Sequence, residues 1–158
     1  MRFVVVTLLA SCTLLGPQSF AADGRKASKE SSSSKSGCTE KDDYLDKAIE
    51  EANAACKSKM TIGYTEGTGF EGDQLKPVAD GINSACTDGN DAFVAKKIIR
   101  VCAEWDMKLK KVDVTLKGTT LHVRTNNEID NSPDAVRCKV AKIVGGKLPK
   151  GIDCQKHF

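Results

Sequence analysis

The glycine-rich segment 67–72 has the residue pattern of a nucleotide site. Its sequence, Gly-Thr-Gly-Phe-Glu-Gly, fits the G-x-G-x-x-G spacing of a dinucleotide-binding turn. Glu66, Glu71 and Asp73 surround the segment with negative charge, which would repel a pyrophosphate instead of binding it. We therefore expect a flexible loop at this position and no cofactor.

A second segment has the alternating oxygen-bearing side chains of a calcium loop. Its members are Asn126, Glu128, Asp130, Ser132 and Asp134. The segment lacks the central glycine and the closing bidentate glutamate that calcium loops use. Ser132 and Pro133 are instead typical of the first residues of a helix. The sequence therefore predicts no metal site.

The residue types of nucleophilic catalysis are scarce in this chain. There are two histidines, His122 and His157, and neither belongs to a recognisable set of nucleophile, base and orienting group. Acidic residues are numerous, and paired acids meet in the fold and not along the chain. A small extracellular hydrolase that uses two acids, for instance among Glu104, Asp106 and Asp113, therefore stays an alternative. We expect no catalytic residues, and a binding module in preference to an enzyme.

Six cysteines have the spacing of structural disulfides. No two of them lie closer than 16 residues apart, so the chain has no C-x-x-C pair of a zinc knuckle or a redox motif. An even number of widely spaced cysteines in an exported chain favours disulfides. The six are Cys38, Cys56, Cys86, Cys102, Cys138 and Cys154.

The pairing of these cysteines stays open, with one exclusion. A helix predicted over 39–59 places Cys38 and Cys56 about 27 Å apart, at roughly 1.5 Å of rise per residue. Bridged cysteines have Cα atoms within about 7 Å of each other. We therefore expect that Cys38 does not pair with Cys56.

Residues 1–21 have the features of a secretory signal peptide. Arg2 provides the positive charge, and residues 3–16 form a mainly apolar stretch. Ser19 and Ala21 then give a cleavage site of the A-x-A type. We expect an exported chain, secreted or periplasmic.

A lipid anchor is the rival interpretation of the same segment. Residues 9–12 have the pattern of a bacterial lipobox, in which Cys12 would become the lipid-modified N-terminus. A transmembrane helix needs about 20 apolar residues, and Pro17 interrupts the stretch before that length. We therefore predict no transmembrane segment in the mature chain.

Composition separates a polar leader from one folded domain. Residues 22–37 are rich in serine and lysine and show no apolar periodicity, which predicts a flexible leader. Residues 38–158 are enough for one domain. The chain has a net charge of only +3 and 5% aromatic residues, which counts against nucleic-acid binding. An unknown protein or an anionic envelope polymer is the expected partner.

Hydrophobic periodicity predicts helices and strands in alternation. Helices are expected over 39–59, 75–85, 91–97 and 132–144, and strands over 60–65, 98–105, 113–117 and 120–124. Helix and strand are nearly equal choices for 98–105 and 135–144. The resulting fold class is α+β, with a small, mostly antiparallel sheet of three or so strands packed by helices on one face.

The hairpin around Gly118 is the best determined of these elements. A two-residue turn at Gly118-Thr119 sets Leu116 opposite Leu121 on one face and Asp113 opposite Arg124 on the other. Its polar face is the candidate binding surface, because exposed cations there would attract an anionic partner. The residues assigned to that surface are Lys111, Lys117, His122 and Arg124.

Overall fold

A computed structural model describes residues 37–65, 72–126, 128–130 and 132–158. The predicted signal peptide with Cys12, residues 22–36 of the leader and residues 67–71 of the glycine segment lie outside the described residues. The elements, in chain order, are α1 (Asp43–Cys56), β1 (Thr61–Tyr64), a 3-10 turn (Gly72–Leu75), α2 (Lys76–Ala85), a π-helical turn (Cys86–Asn90), α3 (Asp91–Lys97), β2 (Arg100–Trp105), β3 (Asp113–Lys117), β4 (Thr120–Thr125), α4 (Ser132–Val144) and a 3-10 turn (Cys154–His157).

The four strands form one mixed sheet in the order β1-β2-β4-β3. β1 and β4 both run parallel to β2, and only the β3–β4 pair is antiparallel. The α+β class is therefore confirmed, whereas the prediction of a mostly antiparallel sheet is wrong. The sheet has four strands where three or so were expected. Two helices, α2 and α3, connect β1 to β2, and a crossover of this kind brings consecutive strands together in parallel.

Burial explains why β4 is central and β3 lies at the edge. In β4 the inward-facing Leu121 and Val123 are fully buried. β3 carries exposed Thr115 and Lys117, and lysine is a residue that natural proteins place on edge strands. The hairpin register itself is confirmed in every predicted pair.

The first helix starts at Asp43 and not at residue 39, because Asp42 caps it. The Asp42 carboxylate accepts hydrogen bonds from the backbone N–H groups of Tyr44 at 2.9 Å and Leu45 at 3.0 Å. The chain before Asp42 is extended, because Glu40 forms an antiparallel bridge with Tyr64 at the free edge of β1. Residues 98–105 contain a strand and residues 135–144 lie in a helix, which settles both open choices.

The helices cover one face of the sheet and share a core with it. α2 and α4 approach closely at Gly81, where an added Cβ atom would lie 2.5 Å from the Cβ of Val136. Glycine has a low helix propensity, so Gly81 makes a helix at this position less evident from the sequence. The close packing of α4 nevertheless requires a glycine there. Trp105 and Val101 fill the core from β2.

The six cysteines form three disulfides, which confirms the predicted disulfide bonds. Cys38 pairs with Cys102, Cys56 with Cys86, and Cys138 with Cys154. Three such bonds indicate an oxidising environment. Among the helices of the described residues, none combines the length and the apolar character needed to cross a bilayer.

Candidate functional site

The face of the sheet opposite the helices is here called the open face. Strand alternation assigns to it the residues that flank the buried ones, namely Thr61, Gly63, Arg100, Cys102, Glu104, Asp113, Thr115, Lys117, Thr120, His122 and Arg124. Most of them are polar or charged. The predicted binding surface belongs to this face, so its geometry decides whether a ligand site exists.

Residues 37–40, here called the strap, cross the β1 side of the open face. The carbonyl oxygen of Cys38 lies only 2.3 Å from the position that a Cβ atom of residue 63 would occupy, so this crossing requires Gly63. The disulfide from Cys38 to Cys102 attaches the strap to β2. The strap therefore covers the β1 side of the open face, while no residue from 37–65 or from the other described ranges crosses the β3 and β4 side.

Three nitrogen-bearing side chains meet next to the strap, at what we call the cationic end. The strand register aligns Arg100 of β2 with Thr120 of β4, and Thr120 with Lys117 of β3. Arg100 and Lys117 are thus two strand spacings apart, about 10 Å. His122 follows Thr120 along the same face of β4.

A depression of about 290 Å³ occupies this end of the face. Its lining consists of Cys38, Arg100, Cys102, Lys117, Thr120 and His122. Among the described residues, no acidic side chain is part of that lining. A guanidinium, an ammonium, a hydroxyl and an imidazole together can donate hydrogen bonds to the oxygens of a phosphate, sulfate or carboxylate group.

The strap also positions Arg100. One terminal nitrogen of its guanidinium donates a hydrogen bond of 2.5 Å to the carbonyl oxygen of Cys38. Because a guanidinium has five N–H groups in a rigid plane, the others stay free to bind an oxyanion. The Cys38–Cys102 disulfide therefore lines the depression and also anchors the carbonyl oxygen that holds Arg100.

His122 is the side chain of the depression whose residue type titrates near physiological pH. Its pKa is lowered mainly by burial, then by Lys117 and also by Arg100, while Glu104 opposes the change. The imidazole is therefore neutral in the unliganded protein at neutral pH. An anion in the depression would favour the protonated form, so binding and proton uptake are linked.

Arg124 lies at the other end of the open face, here called the ion-paired end. Its guanidinium contacts Asp106 at 2.5 Å, Glu104 at 3.5 Å and Asp113 at 3.6 Å. These are the three acids named above for a hydrolase, and the fold does bring them together. The pKa of Asp106 is lowered by the backbone N–H of Lys108 and by Arg124, whereas a general acid needs a raised pKa. The arrangement favours an ion-pair network over a pair of catalytic acids.

The structure brings together only part of the predicted binding surface. Lys117 and His122 line the depression, and Arg124 is on the same face but occupied by carboxylates. Lys111 precedes β3, and its Nζ atom donates a hydrogen bond of 3.0 Å to the main-chain oxygen of Phe158, at the α4 side of the β3 edge. Arg100 is the cationic lining residue that sequence reasoning missed, and Thr120 was not assigned to the surface either. Alternation in β2 already set Arg100 on the polar face, but nothing in the sequence indicated that β2 lies beside β4.

The described residues contain no group of three or more His, Cys, Asp or Glu side chains placed to hold a metal ion. In the segment that has the calcium-loop alternation, the Asn126 amide donates to the carbonyl oxygens of Asp106 at 2.7 Å and Leu109 at 3.0 Å. Its oxygen accepts from the backbone N–H of Glu128. Asn126 therefore organises the turns around it.

No protein-family profile, no curated protein and no solved structure matches this chain.

Proposed function

We propose that this protein is an exported, disulfide-stabilised, non-catalytic module that binds an anionic group of an envelope polymer at the cationic end of its open face. The observation that carries the proposal is the depression beside the strap. Arg100, Lys117 and His122 surround it, and its lining contains no carboxylate from the part of the chain that the structure describes. Cations without a counter-ion attract anionic ligands, and the shape of a concave site adds selectivity.

The size of the depression favours a single anionic group over a large ligand. About 290 Å³ is near the lower limit of small-molecule pockets. A polymer that repeats its anionic group presents many such groups to one site, which raises their effective concentration. The sequence supports the compartment of this proposal, because a predicted signal peptide precedes the disulfide-bonded region.

Sulfate is the simplest probe of the proposed site. We expect added sulfate to shift the NMR signals of the His122 ring and of the Thr120 amide. In the double variant Arg100→Gln/Lys117→Gln the affinity should fall at least about tenfold, because two charge-assisted hydrogen bonds are lost. Lys96→Gln on α3 is the matched control, since it removes an exposed lysine away from the open face. Equal sulfate affinity in the double variant and in this control would overturn the proposal.

Polymers then distinguish the chemistry of the anionic group. Polyphosphate and polyglutamate of equal length test phosphate against carboxylate, and neutral dextran is the blank. We expect at least one polyanion to bind more tightly than sulfate, with its signals also centred on His122. Binding of both polymers that the double variant does not weaken would contradict the proposed site, because the attraction would then come from elsewhere on the surface.

A further inference from the structure

We propose that the free edge of β3 binds an extended, acidic segment of a partner protein, which adds to the sheet as a fifth strand. This site is separate from the depression on the open face, so either proposal can fail without the other. The two edges of the sheet differ. At the β1 edge, the backbone N–H of Tyr64 donates to the carbonyl oxygen of Glu40 at 3.1 Å. β3 pairs only with β4 in the described part of the chain.

The hairpin register identifies the backbone groups that are available at the β3 edge. Lys117 and Thr120 flank a two-residue turn, so they exchange both of their backbone hydrogen bonds. The alternation of the ladder then directs the N–H and C=O groups of Val114 and Leu116 away from β4. No backbone hydrogen bond within the described residues reaches these groups. They are the template on which a fifth strand would form.

A groove of about 470 Å³ lies beside this edge, between β3 and α4. Its lining consists of Val114, Lys139, Lys142, Ile143 and Phe158. Ile143 and the Phe158 ring provide an apolar floor, and the Nζ atom of Lys142 lies 3.8 Å from the centroid of that ring. Alternate side chains of an added strand would point into this groove.

The charges of the groove select an acidic occupant. Lys139 is partly buried, and burial lowers its pKa. The neighbouring Lys111 and Lys142 lower the pKa further, and Asp113 alone opposes them. A carboxylate on the added strand would compensate these cations in a partly desolvated position, where an ion pair is screened less than in water.

The charge of the groove also disfavours two occupants from this protein itself, namely the leader and a second copy of the chain. The leader has four basic residues against two acidic ones, so it would bring positive charge to a positive groove. A second copy paired through β3 would set Lys139 and Lys142 of each copy against the same cations of the other. Lysines at an edge also discourage self-pairing. A different protein with an acidic strand is therefore the occupant that fits.

The test uses a fluorescein-labelled peptide of alternating glutamate and valine, twice as long as β3, with the whole mature protein. We expect it to bind, and a lysine-for-glutamate version to bind at least about tenfold more weakly. Amide hydrogen exchange provides the structural readout. The amides of Val114 and Leu116 should exchange rapidly in the free protein and become protected by the peptide, whereas Thr115 and Lys117 should be protected in both states.

Two kinds of variant separate backbone pairing from charge. Leu116→Pro removes an outward N–H without breaking a bond to β4, and should abolish peptide binding, while Leu116→Ala should retain it. Lys139→Gln/Lys142→Gln keeps the backbone unchanged and should weaken binding at least about tenfold. Lys96→Gln is again the matched control. Arg100→Gln, in the other proposed site, should leave peptide binding unchanged.

Three results would overturn the proposal. The first is protection of Val114 and Leu116 in the free protein, at concentrations where it is a monomer or a dimer, since the leader or a second copy would then fill the edge. The second is equal binding of the glutamate and lysine peptides. The third is peptide binding that leaves the exchange of these two amides unchanged.

Discussion

At the ion-paired end of the open face Arg124 contacts three carboxylates, whereas at the cationic end Arg100 and Lys117 border a depression with no carboxylate among its described lining residues. Strands β2, β3 and β4 contribute to both ends with the same alternation, and Asp106 of the ion-paired end directly follows β2. The ends differ in which residues the strand register sets side by side. An arginine on a polar sheet face is therefore available to a ligand only where the neighbouring strands do not bring acids to it.

The two ends also depend on different supports. Arg124 is held by side-chain ion pairs within the sheet, whereas Arg100 is held by the main chain of the strap, through the carbonyl oxygen of Cys38. Ion pairs use up the charge of the guanidinium, while a single bond to a neutral carbonyl leaves most of it. A disulfide-anchored strap can thus position a cation and still leave it able to bind.

Removal of the strap disulfide should have the largest effect on this comparison. Cys38→Ser/Cys102→Ser opens a link between residues 64 apart in sequence, and the chain-entropy model predicts a loss of about 4 kcal/mol in the free energy of unfolding. Denaturant unfolding measures that loss. Sulfate binding should weaken too, because the carbonyl that holds Arg100 is no longer anchored.

The Cys138–Cys154 disulfide is the control for that prediction. It links residues only 16 apart, so Cys138→Ser/Cys154→Ser should cost about 3 kcal/mol. It does not touch the open face, and sulfate affinity should stay unchanged under conditions where the variant is folded. Equal loss of sulfate binding in both variants would show that the strap has no special role at the cationic end.

Loss of Arg124 should have the next largest effect, and on stability only. Arg124→Gln leaves three carboxylates without their shared cation and should lower the free energy of unfolding by about 1 kcal/mol, because solvent screens a side chain that is 41% exposed. Sulfate affinity should change by less than about threefold. The effect on stability should shrink at high salt.

Lys117→Gln should give the opposite result. The stability of this variant should stay within about 0.5 kcal/mol of the parent, since none of the ion pairs between described residues involves Lys117, while its sulfate affinity should fall. Denaturant unfolding and sulfate titration of both variants in parallel test whether one end contributes to stability and the other to sulfate binding. If Arg124→Gln abolished sulfate binding and Lys117→Gln did not, sulfate would bind at the ion-paired end and not at the cationic end.

The smallest expected effect is the pH dependence due to His122. Its pKa lies below the ordinary value of about 6.5 because of burial and Lys117, so the free protein gains the proton only below that pH. A bound anion raises this pKa, and sulfate must therefore bind more tightly as the pH falls. We expect a gain of about threefold, equivalent to the roughly 0.6 kcal/mol of one partly exposed charge.

Sulfate suits this measurement because its own charge is constant across about pH 5 to 8, where histidine titrates. His122→Gln should remove the gain and leave affinity at neutral pH nearly unchanged. If sulfate affinity still depended on pH in this variant, a group other than His122 would be responsible.

The sequence alone was sufficient for the local features of this protein. It predicted the hairpin register in every pair, because a two-residue turn and strict alternation leave one arrangement that buries the leucines and valines. It also predicted disulfide bonds among six cysteines, since their number and spacing are a property of the chain itself. Lys111 shows the limit of that reasoning, because alternation was extended to a residue that precedes β3.

Only the tertiary structure decided which strands are neighbours, and with them the site. β2 lies beside β4, which aligns Arg100 with Thr120 and, one strand further, with Lys117, although Lys117 lies 17 positions after Arg100 in the sequence. Core packing favours the most buried strand of the hairpin at the centre and the lysine-bearing strand at the edge. The order of strands in a sheet depends on how much apolar surface each whole strand buries. The periodic pattern within one strand does not show which other strand lies beside it.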